Sequence, residues 1–133
     1  MLEQPQGSKL FNMHRLPGPG QGRDDQDGET YEVDQVSWGH VARKRTWLYV
    51  VGVPRIVVLR GIVTGGTPTH WCSGSHAPGA RGETPPGIKI CSAQQRRRTP
   101  IAFAEWLLEL ASTARVEPCG DVGRRDLKTH PAT

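Results

Sequence analysis

No stretch of this chain approaches the roughly 20 consecutive apolar residues that a membrane span requires. The opening residues, MLEQP, also lack the charged segment and apolar core of a secretory leader. No membrane partner is expected, and a cytoplasmic location follows as the default. Apolar residues are scarce, at 35% of 133 residues with two Phe, two Tyr and four Trp, whereas ordinary domains carry roughly 45–50% counting Gly. A chain this long and this poor in core formers is at most one domain. Cysteine is scarce as well, and the count of three is odd, which argues for a reducing compartment over a disulfide framework.

What is abundant is turn chemistry. Sixteen Gly and eleven Pro fall mostly in two blocks, 17–28 and 65–87, so the expected folded unit spans 1–116 with long loops at 16–29 and 64–87. Residues 117–133 show no periodicity and are expected to form a disordered tail. A net charge of +4 with a pI near 9.3 permits an anionic partner without requiring one.

The stretch 35–52, QVSWGHVARKRTWLYVVG, organises the rest. Residues 30–36 alternate Tyr31, Val33 and Gln35 against Glu32, Asp34 and Val36, a period-two strand, and 46–51 form a second, β-branched and aromatic one. Together they suit an antiparallel pair whose connection carries Arg43, Lys44 and Arg45. Arginine offers phosphate a planar fork of donors, so this loop is either a phosphate contact or a solvated turn. Ahead of it, residues 2–5 read as an extended segment entering a short helix capped by Ser8, with Glu3 either at the lip of a strand or a solvent-facing terminal carboxylate.

Downstream, IVVLRGIV (56–63) reads as a third strand or a strand-turn-strand pair, at an edge because of Pro54, and in need of cover by self-association or a partner. Residues 64–86 read as loop. The clearest helix opens at Thr99-Pro100, with Thr99 as cap and Ile101, Phe103 or Ala104, Leu107, Leu108 and Ala111 at helical spacing, widened by Trp106 and Leu110. Arg96, Arg97 and Arg98 precede its positive amino end, where a DNA phosphate, a partner's carboxylate or water has to satisfy them. No metal is expected. Asp24, Asp25 and Asp27 with Gly28 miss the register of a calcium loop, and His70, Cys72, His76 and Cys91 match no compact zinc spacing.

Three segments, LEQP at the start, QVSWGHVARKRTWLYVVG, and RRRTPIAFAEWLLELA, resemble the second half of a DNA cytosine-5 methyltransferase in the diverged form found in phage and prophage genomes. In that family a Glu-Asn-Val type motif closes one strand of a Rossmann-like sheet and its Glu bonds the flipped cytosine. A tyrosine-glycine turn, a Gln-x-Arg-x-Arg motif and a strand ending in Val-Gly follow. The resemblance puts Glu3-Gln4-Pro5 on the first motif, Trp38-Gly39 on the turn and Arg45 on the first arginine, with Trp47 in place of the second. Glu3 and Arg45 are thereby implied as base-contacting residues.

The implied fold is α/β: a partial Rossmann-like methyltransferase sheet with an antiparallel hairpin (30–36 and 46–51) and a C-terminal helix, joined by long Gly/Pro-rich loops. The family's chemistry also needs a Gly-rich turn for S-adenosylmethionine and a Pro-Cys loop whose thiolate attacks the base, both upstream of the Glu motif. Only Met1 and Leu2 precede Glu3, and the one Pro-Cys pair, Pro118-Cys119, sits past the last helix. The expectation is therefore a methyltransferase-like remnant, catalytically incompetent alone and without a cofactor of its own, with weak, salt-sensitive DNA binding through Arg43, Lys44, Arg45, Arg96, Arg97 and Arg98. Two alternatives stand beside it. One is a small phage-type interaction protein that binds a host protein. The other is the C-terminal half of a split enzyme whose separate N-terminal half brings S-adenosylmethionine.

Overall fold

The β-branched and aromatic run Arg45–Val51, β3, pairs on both edges and is the centre of the sheet. Thr46, Leu48 and Val50 face the core, while Arg45, Trp47 and Tyr49 take the other side. The computed structural model of the chain describes residues 1–72 and 87–115. β3 pairs antiparallel with β1 (Leu2–Pro5) on one edge and with β2 (Gly28–Asp34) on the other, giving a three-stranded sheet of order β1-β3-β2. Register is fixed by pairs such as Glu3 with Leu48 and Tyr31 with Leu48. The fold is mixed α/β, with a small antiparallel sheet and a C-terminal helix.

β2 starts and stops two residues earlier than its alternation predicts. Gly28 and Glu29, expected in the loop, are paired strand, and Gln35–Trp38 form a 3-10 turn. Asp34 causes the early stop, because its carboxylate accepts from the Val36 amide at 3.2 Å and offers the backbone a local alternative to the ladder. Gly39 closes the turn with φ of 99°, a left-handed conformation that costs glycine little. The expected entry segment is also present: Ser8 caps α1 (Lys9–Met13) and accepts from the Leu10 amide.

The segment 56–63 is not a strand. Arg55–Gly61 is a helix, α2, which begins directly after Pro54 and buries Val58 completely while Ile56 stays 54% exposed. Proline needs no amide partner at a helix start, so the residue taken to limit strand pairing instead opens a helix. Gly61 fits because a Cβ there would lie 2.1 Å from Trp106 Nε1. The core gathers Tyr31, Val33, Leu48 and Val50 from the sheet, Val58 from α2, and Phe103, Trp106 and Leu110 from α4 (Ile101–Thr113). Trp38 packs between them, stacked on Trp106 and edge-on to Phe103 with centroids 5.1 Å apart in each case.

Two features of α4 differ from expectation. Thr99 does not cap it; the N-cap position is Pro100, with no side-chain bond. The buried face is Phe103, Trp106 and Leu110, with Leu107 half-buried, whereas Ile101 and Leu108 are 78% and 71% exposed. Aromatic bulk decided the rotation: burying Phe103 and Trp106 removes more apolar area than burying Ile101 and Leu108. Arg96 and Arg97 do not simply precede α4. They end a separate helix, α3 (Ala93–Arg97), where positive charge is favourable. Within the stretch read as loop, His70–Trp71 is a short strand, β4, paired parallel with β5 (Lys89–Ile90). His76, Cys119 and the expected tail at 117–133 lie outside the described residues.

Candidate nucleic-acid interface

The turn from β2 to β3 is built around one carboxylate. Asp34 Oδ1 accepts from the amides of Val36 and Lys44, the latter at 2.9 Å, and Oδ2 accepts from Arg43 Nη1 at 3.4 Å. Both ends of the connection are therefore tied to the last residue of β2. His40, which is buried, joins that connection to α3. His40 Nδ1 lies 2.8 Å from the Ala42 carbonyl and 3.0 Å from the Ala42 amide; with the proton on Nε2 the ring accepts from that amide and donates to the Gln95 carbonyl at 3.1 Å. α3 has its own capping box: Ser92 Oγ accepts from the Gln95 amide and Gln95 Oε1 from the Ser92 amide, at 3.1 and 2.9 Å.

These links bring two distant basic segments together. Lys44 Nζ donates to the Arg98 carbonyl at 3.2 Å across 54 positions of sequence. Around that contact Arg43, Arg45, Arg96, Arg97 and Arg98 are exposed and Lys44 is half-buried. The result is a basic ridge between two concavities. One, of about 440 Å³, is lined by Arg43, Arg45, Ser37 and Gly65-Gly66, with Glu32 and Asp34 at its wall. The other, of about 430 Å³, is lined by His40, Val41, Gln95, Arg98 and Pro100. Exposed guanidinium groups on such a surface position phosphate oxygens by paired, charge-assisted hydrogen bonds.

The residues carried over by resemblance are not brought to one place. Glu3 is half-buried on the core face of β1, where it accepts from Gln35 Nε2 at 3.3 Å. Gln35 is wholly buried and also donates to Thr46 Oγ1 at 3.0 Å. Arg45 begins β3 on the opposite face, across from Asp34. Trp47, standing where a second arginine is expected, packs edge-on against Phe11 at 5.2 Å and donates to Glu32 Oε2 at 3.1 Å. Among the described residues no group of three or more His, Cys, Asp or Glu converges as a metal site.

Sequence reasoning missed Asp34, His40 and Gln95, the residues that position the ridge. The Ser92-x-x-Gln95 capping pattern was legible ahead of α3, while nothing local marks His40 as a bridge to a carbonyl 55 residues away.

Two carboxyl–tyrosine pairs of altered acidity lie away from the ridge. Glu29, buried at the start of β2, accepts from Arg55 and, at 2.8 Å, from Tyr31 Oη; the Arg55 contact chiefly holds its carboxyl below the ordinary value. Burial, reinforced by Glu29, pushes Tyr31 up to about 12. Tyr49 donates to Asp24, which lowers the Asp24 carboxyl, and burial with that bond raises Tyr49 to about 12. These bonds clamp α2 and the preceding loop to the sheet.

Comparison with protein-family models, with curated proteins and with solved structures returned no match.

Proposed function

We propose that this chain is a non-catalytic nucleic-acid-binding protein that holds the phosphate backbone on the ridge formed by Arg43, Lys44, Arg45, Arg96, Arg97 and Arg98. The observation that carries the reading is the Lys44–Arg98 contact, which joins two basic segments far apart in sequence into one surface. Several exposed cations on a fixed scaffold release counterions when they meet DNA, so affinity is weak and falls with salt. No base-edge reading is included in the proposal, because phosphate contacts position a duplex without specifying its sequence.

The finer reading is a methyltransferase-like remnant of phage or prophage origin, with the hairpin at one edge of a Rossmann-like sheet. Two features support it: the hairpin β2–β3 lies beside the strand that carries Glu3, and the outer edge of β1 pairs with no other strand among the described residues. In a split enzyme that open edge is where a separate N-terminal half, with its S-adenosylmethionine, continues the sheet. A second reading, binding of a host protein or self-association, is favoured by one observation: Ile56, Leu59 and Val63 on and after α2 are each about half-exposed.

Fluorescence anisotropy with a labelled duplex at low salt separates these readings. Arg43→Glu and Arg98→Glu are each expected to weaken binding about tenfold or more, and Ile56→Ser to leave it unchanged. Unaltered affinity in both charge-reversal variants overturns the ridge, and a salt-insensitive complex lost in Ile56→Ser favours the protein-binding reading.

A further inference from the structure

β4 and β5 run parallel with His70 opposite Lys89 and Trp71 opposite Ile90, and the Cys91 amide donates to the Trp71 carbonyl at 2.8 Å. Extending that register by one residue sets Cys72 opposite Cys91, with both side chains on one face. Adjacent strands lie about 4.8 Å apart, within the roughly 4.4–6.8 Å Cα separation that a disulfide spans without backbone movement. Both thiols are free, Cys91 buried and Cys72 half-buried, and they hydrogen-bond to one another. β4 is itself anchored, since the Thr69 and His70 amides donate to the Val41 carbonyl at 2.8 and 3.0 Å.

We propose that Cys72 and Cys91 form a reversible intramolecular disulfide when the protein meets a low-molecular-weight disulfide oxidant. The more accessible Cys72, as thiolate, attacks one sulfur of the oxidant. The oxidant's S–S bond breaks, and the first small thiol leaves carrying the proton that Cys72 gave up. Cys91 then loses its proton and attacks Cys72 Sγ in the mixed disulfide, expelling the second small thiol. The protein loses two protons and two electrons, and the oxidant gains both, leaving as two small thiols.

Burial, together with the hydrogen bond that the Cys91 thiol donates to Cys72, pushes Cys91 up to about 11. Burial, the largest cause, still acts on Cys91 in the mixed disulfide, so the second step quickens as pH rises. The bridge adjoins Ser92, the N-cap of α3, so oxidation ties the start of that helix to β4. None of this depends on whether the ridge binds nucleic acid.

The test is to incubate the full-length chain with oxidised glutathione at pH 7 and pH 9, alkylate free thiols and map peptides by mass spectrometry. The expected product links Cys72 to Cys91, weighs two hydrogens less than the reduced protein, forms several-fold faster at pH 9, persists in Cys119→Ser and reverts with dithiothreitol. In Cys91→Ser a glutathione adduct on Cys72 should accumulate. A dominant bridge involving Cys119, or a stable Cys72 adduct in the unaltered protein with no internal bridge, overturns the proposal.

Discussion

Glu29 is almost wholly removed from water yet ionised, because Arg55 and the Tyr31 hydroxyl complete its hydrogen bonds. A carboxyl held below its ordinary value of 4.5 contributes stability that is present above that value and lost as pH falls through the depressed one. Asp24 behaves in the same way through Tyr49. The tyrosines give the opposite limb: each is raised from 10.0 to about 12, so their stabilisation is complete below pH 10 and lost as pH rises toward 12. Denaturation midpoints should be flat between about pH 5 and 9 and fall on both sides. Tyr49→Phe should reduce the alkaline fall and leave Tyr31's share of it, which urea titrations at pH 7, 9.5 and 11 will show. Glu29→Ala leaves a buried hydroxyl without its acceptor and should cost about 1–3 kcal/mol at pH 7.

The elements differ in how openly the sequence declares them. β3 and the Ser8-capped α1 were legible from alternation and capping chemistry alone, as was the existence of α4. α2 was not, because the β-branched run Ile56-Val57-Val58 has the same composition as a strand; only the packing of Val58 and Gly61 against the core and Trp106 decides for helix. The rotation of α4 was likewise hidden, since Ile101 and Leu108 fit a helical face as well as Phe103 and Trp106 do. Phe103→Ala should therefore cost about 3–5 kcal/mol of unfolding free energy, while Ile101→Ala should stay within about 0.5 kcal/mol. Removing the N-cap of α3 by Ser92→Ala should cost that helix about 1 kcal/mol. Faster amide exchange at residues 93–97 with β3 unaffected is the corresponding signature.

Across the whole molecule, the candidate interface is a product of tertiary structure. Arg43 and Lys44 come from the strand connection, Arg45 from the start of β3, Arg96 and Arg97 from the end of α3 and Arg98 from its C-cap, and Asp34, His40 and Gln95 hold the two groups together. The sequence showed both basic clusters but not their proximity, since the contacts that join them run between 54 and 55 positions apart. The same long-range placement separates Glu3 from Arg45 on opposite faces of the sheet, although the resemblance pairs them in one role. The measurement that bears most directly on the ridge is the dependence of duplex-DNA affinity on salt. If the ridge meets phosphate, log affinity should fall linearly with log salt with a slope of roughly −3 to −5, shallower by about one unit in Arg98→Ala. No detectable binding at low salt, or a slope near zero, would contradict it.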